Sequence, residues 1–291
     1  MMALLDRFAP LAERYDGFVL DLWGVIHDGV KPYPGAVGAL EALRSADKRS
    51  VLLSNAPRRA AAAQAAMRAM GIADNLYHGI LTSGEAVHRA LRDRRDPWFA
   101  ALGRRVLHLG PARDRNVFDT LDLEEVATPE AAEFVLNTGP DDHKPGQTVE
   151  DFLPLLRRCR AADLPMICAN PDLEVIRGGV RVICAGALAQ AYAALGGEVR
   201  SLGKPDPAIY ATVFDMLGIA DRRRILAVGD SLRTDIAGAT AVGIDAAWVI
   251  GGIHAEELGA VDGTLPPAEA LERAAAAHKV EPVAALPAFV W

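Results

Sequence analysis

The sequence is poor in cysteine, in net positive charge and in long apolar runs. Its three cysteines, Cys159, Cys168 and Cys184, fall at irregular spacing and make neither a disulfide framework nor a zinc-ligand pattern. They read as small buried hydrophobes in a reducing compartment, so the expected location is the cytoplasm. Lys and Arg number 31 against 38 Asp and Glu, a formal net charge of −7. No basic field therefore draws in nucleic acid or an anionic membrane, and neither is expected as a partner. An anionic ligand would need local positive charge from a lysine, a metal or helix N-termini. No run approaches the roughly 18 apolar residues of a membrane span. The opening MMALLDRFAPLAERYDG is broken by Asp6, Arg7 and Glu13 and has no apolar core of signal-peptide length. Repeats and low-complexity segments are missing too. What remains is a 291-residue chain, 51% hydrophobic and 24% charged, enough for one large globular domain or two smaller ones.

Strand-like runs alternate with helical patterns. GFVLDLWGV precedes PGAVGALEALRSA, SVLLSN precedes RRAAAAQAAMRAMG, and ILTS precedes GEAVHRALRD. RVLHLG, EFVLNTG and PMICAN follow, and late in the chain RILAVGD leads to TDIAGATAVG and DAAWVIGG. This alternation predicts parallel sheets with crossover helices, an α/β architecture whose strands are covered on both faces. The last stretch, ERAAAAHKVEPVAALPAFVW, reads as a tail packed on the core.

Ligands of such sheets gather beyond the carboxyl ends of the strands. Three strands end in polar residues there: Asp21, Ser54 with Asn55, and Asp230. Lys204 in SLGKPDPAIY and Asp235 in GDSLRTD complete an ordered set. Singly, each has a plain structural reading as a turn former, a helix cap or a solvated lysine. Together they fit one chemistry. A carboxylate can attack phosphorus only if its own charge and that of the substrate are offset. A magnesium ion held by Asp21 and Asp230 would offset them, since hard cations prefer oxygen ligands. Lys204 would be a fixed point charge, and Ser54 with nearby backbone N–H groups would hold phosphate oxygens.

In these four positions the sequence resembles the haloacid dehalogenase (HAD) superfamily of hydrolases. ILTSGEAV, ANPD, the GAL at 186–188, and GKPDP followed by GDSLRTDIAGA resemble its class IIA, the C2-capped sugar-phosphate and nitrophenyl phosphatases. The resemblance implies a Rossmann-like parallel-sheet core, residues 1–83 and 201–291, with an inserted α/β C2-type cap, residues 84–200. It implies Asp21 as nucleophile, Ser54 as phosphate ligand, Lys204 as the motif lysine, Asp230 as magnesium ligand and Asp235 as its support. The backbone carbonyl of Trp23 would be a further metal ligand. Asn55 joins the phosphate-binding candidates. The partner implied is a small phosphorylated metabolite, and caps of this class often mediate homodimers.

One position departs from the pattern. Trp23 stands where family phosphatases carry the acid that protonates the leaving oxygen, help worth about 10²–10⁴-fold. Three readings stay open: a magnesium phosphatase with another acid or with easy leaving groups, a dehalogenase-like hydrolase whose halide needs no proton, or an impaired phospho-ligand-binding protein. His27 and Asp28 are candidates for a replacement acid, against a plain polar turn. In the insert, NPDLEVIRGG reads as a loop, Asn170 to Gly179, expected to re-enter above Asp21, with Asp172, Glu174 and Arg177 as candidate substrate contacts. Arg177 could pair with a second anionic group. Ser83–Gly84 and Ser201–Leu202–Gly203 read as hinges. Trp98 and Trp248 read as packing. Asp141, Asp142 and His143 read as a solvated loop.

Overall fold

The computed structural model describes residues 2–141, 143–144, 146–260 and 263–291; Asp142 lies outside the described residues. Seven parallel strands form the larger sheet, in the order Ala3–Leu4, Ala284–Leu286, Asp245–Val249, Ile225–Gly229, Gly17–Leu20, Arg49–Ser54, Gly79–Thr82. Side chains alternate across it because successive strand residues point to opposite faces. Phe18, Leu20, Leu52, Leu226 and Val228 join one apolar cluster, while Val19, Val51, Leu53 and Ala227 join the cluster on the other side. The helix Ala36–Ser45 covers the first face with Ala36, Ala39, Leu40 and Leu43, the spacing of one helical stripe.

From Gly17–Leu20 the chain builds outward in one direction through Arg49–Ser54, and later strands build in the other, beginning with Ile225–Gly229. The order thus reverses between Gly17–Leu20 and Ile225–Gly229. That crevice is where open α/β sheets bind ligands, and Asp21 and Asp230 emerge there.

A second parallel sheet runs in the order Val199–Ser201, Met166–Cys168, Phe134–Asn137, Arg105–Leu109, Glu124–Glu125. It has its own apolar clusters on its two sides. The helix Ser83–Asp93 joins the two units. Thr82 ends a strand of the large sheet and caps this helix, its Oγ1 accepting from the Glu85 N–H at 3.0 Å. Val87 and Leu91 of the same helix pack among Phe99, Val106, Phe134 and Ile167 of the insert. The architecture is the expected parallel α/β core with an inserted α/β cap.

Two expectations need correction. The C-terminal stretch is a helix, Ala268–Ala277, followed by a strand, Ala284–Leu286, set inside the large sheet. Three residues reading Ala-Ala-Leu carry no period from which a strand can be read. The stretch Asn170–Gly179 is a loop only at its start; Glu174–Arg177 pairs antiparallel with Val180–Ile183 around Gly178 and Gly179. Both glycines have positive φ, +53° and +81°, as a tight hairpin turn requires.

Candidate active site

Asp21 follows its strand directly and is 8% exposed. Lys204, 3% exposed, places its Nζ 2.6 Å from Asp21 Oδ1 and 2.6 Å from Asp235 Oδ1. Asp235 sits in a widened helical turn, Leu232–Ile236, of the kind often found at functional sites. Its Oδ2 accepts from the Ser231 N–H at 3.1 Å, so both its oxygens are engaged. Asp230 is held by the Ile253 N–H donating to Oδ2 at 2.7 Å and by the Trp248 indole donating to its carbonyl at 2.9 Å. Trp248 is thus buried packing, as expected, and also an anchor for a site residue.

Glycines make the space. A Cβ at Gly24, whose φ is +76°, would overlap the Asp230 carboxylate, and so would one at Gly252. A Cβ at Gly229 would overlap Asp235. These carboxylates therefore lie directly against backbone.

Ligand oxygens of Asp21, Asp230 and Asp235 come within 4.8 Å of one another. With half-buried Asp172 nearby, four carboxylates crowd together, and Asp21, Asp235 and Asp172 act on one buried ammonium. Burial, with Asp235 as the nearest like charge, pushes Asp21 up to about 8. Burial and the Asp21 charge push Asp230 well above the ordinary carboxylate range. Burial lowers the proton affinity of Lys204, but Asp21, Asp235 and Asp172 outweigh it and hold the ammonium above its usual range. All-oxygen donors with excess negative charge fit a hard divalent cation.

Ser54 is 1% exposed, and its Oγ accepts from the Ala56 N–H at 3.2 Å. It caps no helix; the next one begins at Ala60. Asn55 has a different role from the one expected. Its Nδ2 donates to Asp172 Oδ1 at 2.9 Å and to the Lys204 carbonyl at 3.1 Å, and its Oδ1 accepts from the Lys204 N–H at 2.8 Å and the Ser83 hydroxyl at 3.3 Å. The amide has no capacity left for phosphate. It clasps the Lys204 loop, the cap loop and the start of the linking helix into one piece.

The cleft over these residues holds about 230 Å³ and is walled by Asp21, Trp23, Asp172, Asp230, Arg233 and His254, among others. Glu174 lines it too, with its carboxylate paired to Arg181. Arg177 does not line it; its guanidinium lies 3.5 Å from His143 Nε2. Asp141 pairs with Arg113 at 2.6 Å. Asp28 Oδ1 accepts from the Val30 and Lys31 N–H groups at 2.9 and 2.8 Å, and His27 Nδ1 accepts from the Gly29 N–H at 3.1 Å. Both side chains thus serve the turn, and burial pushes His27 down to about 4. Sequence reasoning missed His254. Its Nε2 accepts from the Leu232 N–H at 3.3 Å and its Nδ1 lies 3.2 Å from Glu257. Nothing around it in the sequence marks it, since the chain fold alone brings it to the cleft.

Two family profiles match the chain: "Haloacid dehalogenase-like hydrolase" over residues 18–124 and "HAD-hyrolase-like" over residues 201–270. A crystal structure of a haloacid dehalogenase-like hydrolase from Brucella suis 1330 is 35% identical, with 99% of this chain and 100% of that one covered and a TM-score of 0.82. The chain belongs to the haloacid dehalogenase-like hydrolase family. The D-glycerol 3-phosphate phosphatase of Mycobacterium tuberculosis is 28% identical over 250 residues, 84% of this chain; the chain spans 65% of that protein's length. A glycerol phosphate phosphatase structure from Mycobacterium tuberculosis in complex with magnesium is 25% identical, covers 84% of this chain and 70% of its own, and has a TM-score of 0.61. Among the described residues no helix is long and apolar enough to cross a membrane.

Proposed function

We propose that the protein is a magnesium-dependent hydrolase of small phosphomonoesters, working through an aspartyl-phosphate at Asp21. The observation that carries this reading is the Lys204 ammonium bridging Asp21 and Asp235 at 2.6 Å each, with Asp230 in the same cluster. The phosphatase relatives and the magnesium-bound neighbour support it. Asp21, Asp230 and the Trp23 carbonyl would hold the ion, which supplies positive charge to the phosphoryl oxygens. Asp21 attacks phosphorus as the ester oxygen departs with its electron pair. Water then attacks the phosphorus and loses a proton to solvent, while the bond to Asp21 breaks and Asp21 leaves as free carboxylate. Lys204 holds Asp21 in place and offsets charge on the phosphoryl group. The Ser54 hydroxyl and neighbouring backbone N–H groups hold the remaining oxygens. Residues 84–200 act as the cap that excludes water and selects the leaving group.

Trp23 supplies no proton, so the departing oxygen takes one from solvent. The test is phosphate release from acyl, aryl, sugar and nucleotide phosphates, with magnesium or EDTA and with Asp21→Asn as blank. Release should need magnesium and Asp21 and should fall steeply as the leaving-group pKa rises. Trp23→Asp should flatten that slope and speed the poor leaving groups by about 10²-fold or more. No release above the blank sinks the phosphatase; a flat slope in the unaltered protein sinks the role given to Trp23.

A further inference from the structure

Two acids of the cluster are held from one short loop, the one that follows the strand Asp245–Val249. The Ile253 N–H donates to the Asp230 carboxylate at 2.7 Å. The next residue, His254, reaches the turn Leu232–Ile236 that carries Asp235. The first N–H groups of a helical turn find no acceptor within it. Here the Ser231 hydroxyl accepts from the Thr234 N–H at 3.3 Å, and Asp235 Oδ2 accepts from the Ser231 N–H at 3.1 Å. Between them the Leu232 N–H donates to His254 Nε2 at 3.3 Å. Leu232 is fully buried, so water is no substitute for that acceptor.

The ring is held on three sides. Accepting at Nε2 leaves the proton on Nδ1, which donates to Glu257 Oε2 at 3.2 Å. The Trp248 ring stands edge-on 5.6 Å away, and the His278 ring 5.8 Å away. Trp248 itself donates to the Asp230 carbonyl. Burial lowers the His254 pKa against the pull of Glu257, which favours the neutral ring that the Leu232 N–H requires. Both ring nitrogens are engaged, so the imidazole has no proton to offer a departing group. Glu257 is 70% exposed, and exposed pairs contribute little. The weight therefore falls on Nε2. From the turn the connection to the chemistry is short: Asp235 bonds Lys204, and Lys204 bonds Asp21, each at 2.6 Å.

We infer that His254 is a positioning residue for the metal cluster, fixing Asp235 relative to Asp230 through its Nε2 acceptor rather than through ring packing. The inference rests on the magnesium site of the function proposed above. It separates the two jobs of one loop. Backbone at Ile253 holds Asp230, and the side chain of His254 holds the turn of Asp235.

The test is calorimetric titration with magnesium alone, which needs no turnover. His254→Phe keeps the ring and its packing and loses both nitrogens. His254→Asn keeps a polar group at the Nδ1 position and loses the acceptor for Leu232. His254→Gln places a carbonyl oxygen where Nε2 stands. Groups that orient metal ligands are worth about 10–100-fold in metal affinity, so Phe and Asn should each weaken magnesium binding by about tenfold or more, while Gln should stay within about threefold of the unaltered protein. A Phe variant that binds magnesium as the unaltered protein does overturns the inference, since packing would then suffice. So does a Gln variant that binds no better than Asn, a comparison that decides alone if the Phe variant does not fold. An unaltered protein that binds no magnesium sinks the metal site and this inference with it, whereas equal binding by the unaltered protein and every variant sinks this inference alone.

Discussion

The two sheets of this molecule are built alike and end differently. Both are parallel, both have apolar clusters on their two sides, and both place polar residues just past their strands. In the large sheet two of those residues are acids, Asp21 and Asp230, which meet Asp235 beside Lys204. In the insert they are amides. Asn137, fully buried, donates to the Ala185 carbonyl at 2.9 Å and accepts from the Gly139 N–H at 3.0 Å. Asn170 accepts from the Asp172 N–H at 3.0 Å. A neutral amide at a strand end satisfies its own loop and asks for nothing more. Ionised groups packed together remain unbalanced until a ligand arrives. The same architecture thus makes a scaffold in one place and the candidate active site in the other, and charge separates the two.

The largest effect should come from removing the lysine that bridges Asp21 and Asp235. Lys204→Met leaves Asp21 and Asp235 buried without their partner. Breaking a buried pair on one side costs about 3–5 kcal/mol, so urea unfolding in EDTA at pH 9, above the Asp21 value of about 8, should show a loss of that order. Phosphate release should fall by about 10²–10³-fold, as when one preorganised charge contact is removed. A stability change within about 1 kcal/mol would show that the carboxylates do not depend on Lys204.

Next comes the dependence on pH and metal. The folded-state pKa of Asp21, about 8, lies above the unfolded value, and Asp230 shifts the same way. A raised carboxyl contributes stability below the unfolded pKa, and that contribution fades as pH rises through the folded one. Metal-free protein should therefore weaken between about pH 4 and pH 8. On the proposed metal site, magnesium would bind the deprotonated cluster, so its stabilisation should grow over the same range. The gap between magnesium and EDTA melting temperatures should widen by at least about 5 °C, given about 2–4 °C per kcal/mol for a chain of this size. A gap that stays constant with pH would mean that these acids are ionised throughout.

How much of this was legible in the sequence follows from the same contrast. Asp21, Ser54, Lys204 and Asp230 could be picked out because each ends or follows a contiguous apolar run or a short motif, and the sheet order brings them together. The core strands were legible because four to six buried residues in a row can be read locally. The strand Ala284–Leu286 was not, since its identity comes from its neighbours Ala3–Leu4 and Asp245–Val249. The hairpin around Gly178–Gly179 left a readable signal, a Gly-Gly pair between β-branched runs, which the reading of that stretch as a loop passed over. Asn55 was misjudged because its four hydrogen bonds reach residues 83, 172 and 204, distances at which one sequence says nothing about contact. Arg58 and Asp114 meet across the two units for the same reason.

The smallest effect should come from the scaffold end. Asn137→Ala removes the hydrogen bonds to the Ala185 carbonyl and from the Gly139 N–H, and a weak one to Met166 Sδ. Each is worth about 0.5–1.5 kcal/mol net, and a small cavity adds to the loss, so unfolding should move by about 1–2 kcal/mol. Turnover per folded molecule at 25 °C should not change, because the amide bonds only groups within the insert. A fall in kcat with little loss of stability would mean that the insert's strand ends reach the chemistry, and the division between satisfied amides and unbalanced acids would then fail as an account of where the site lies.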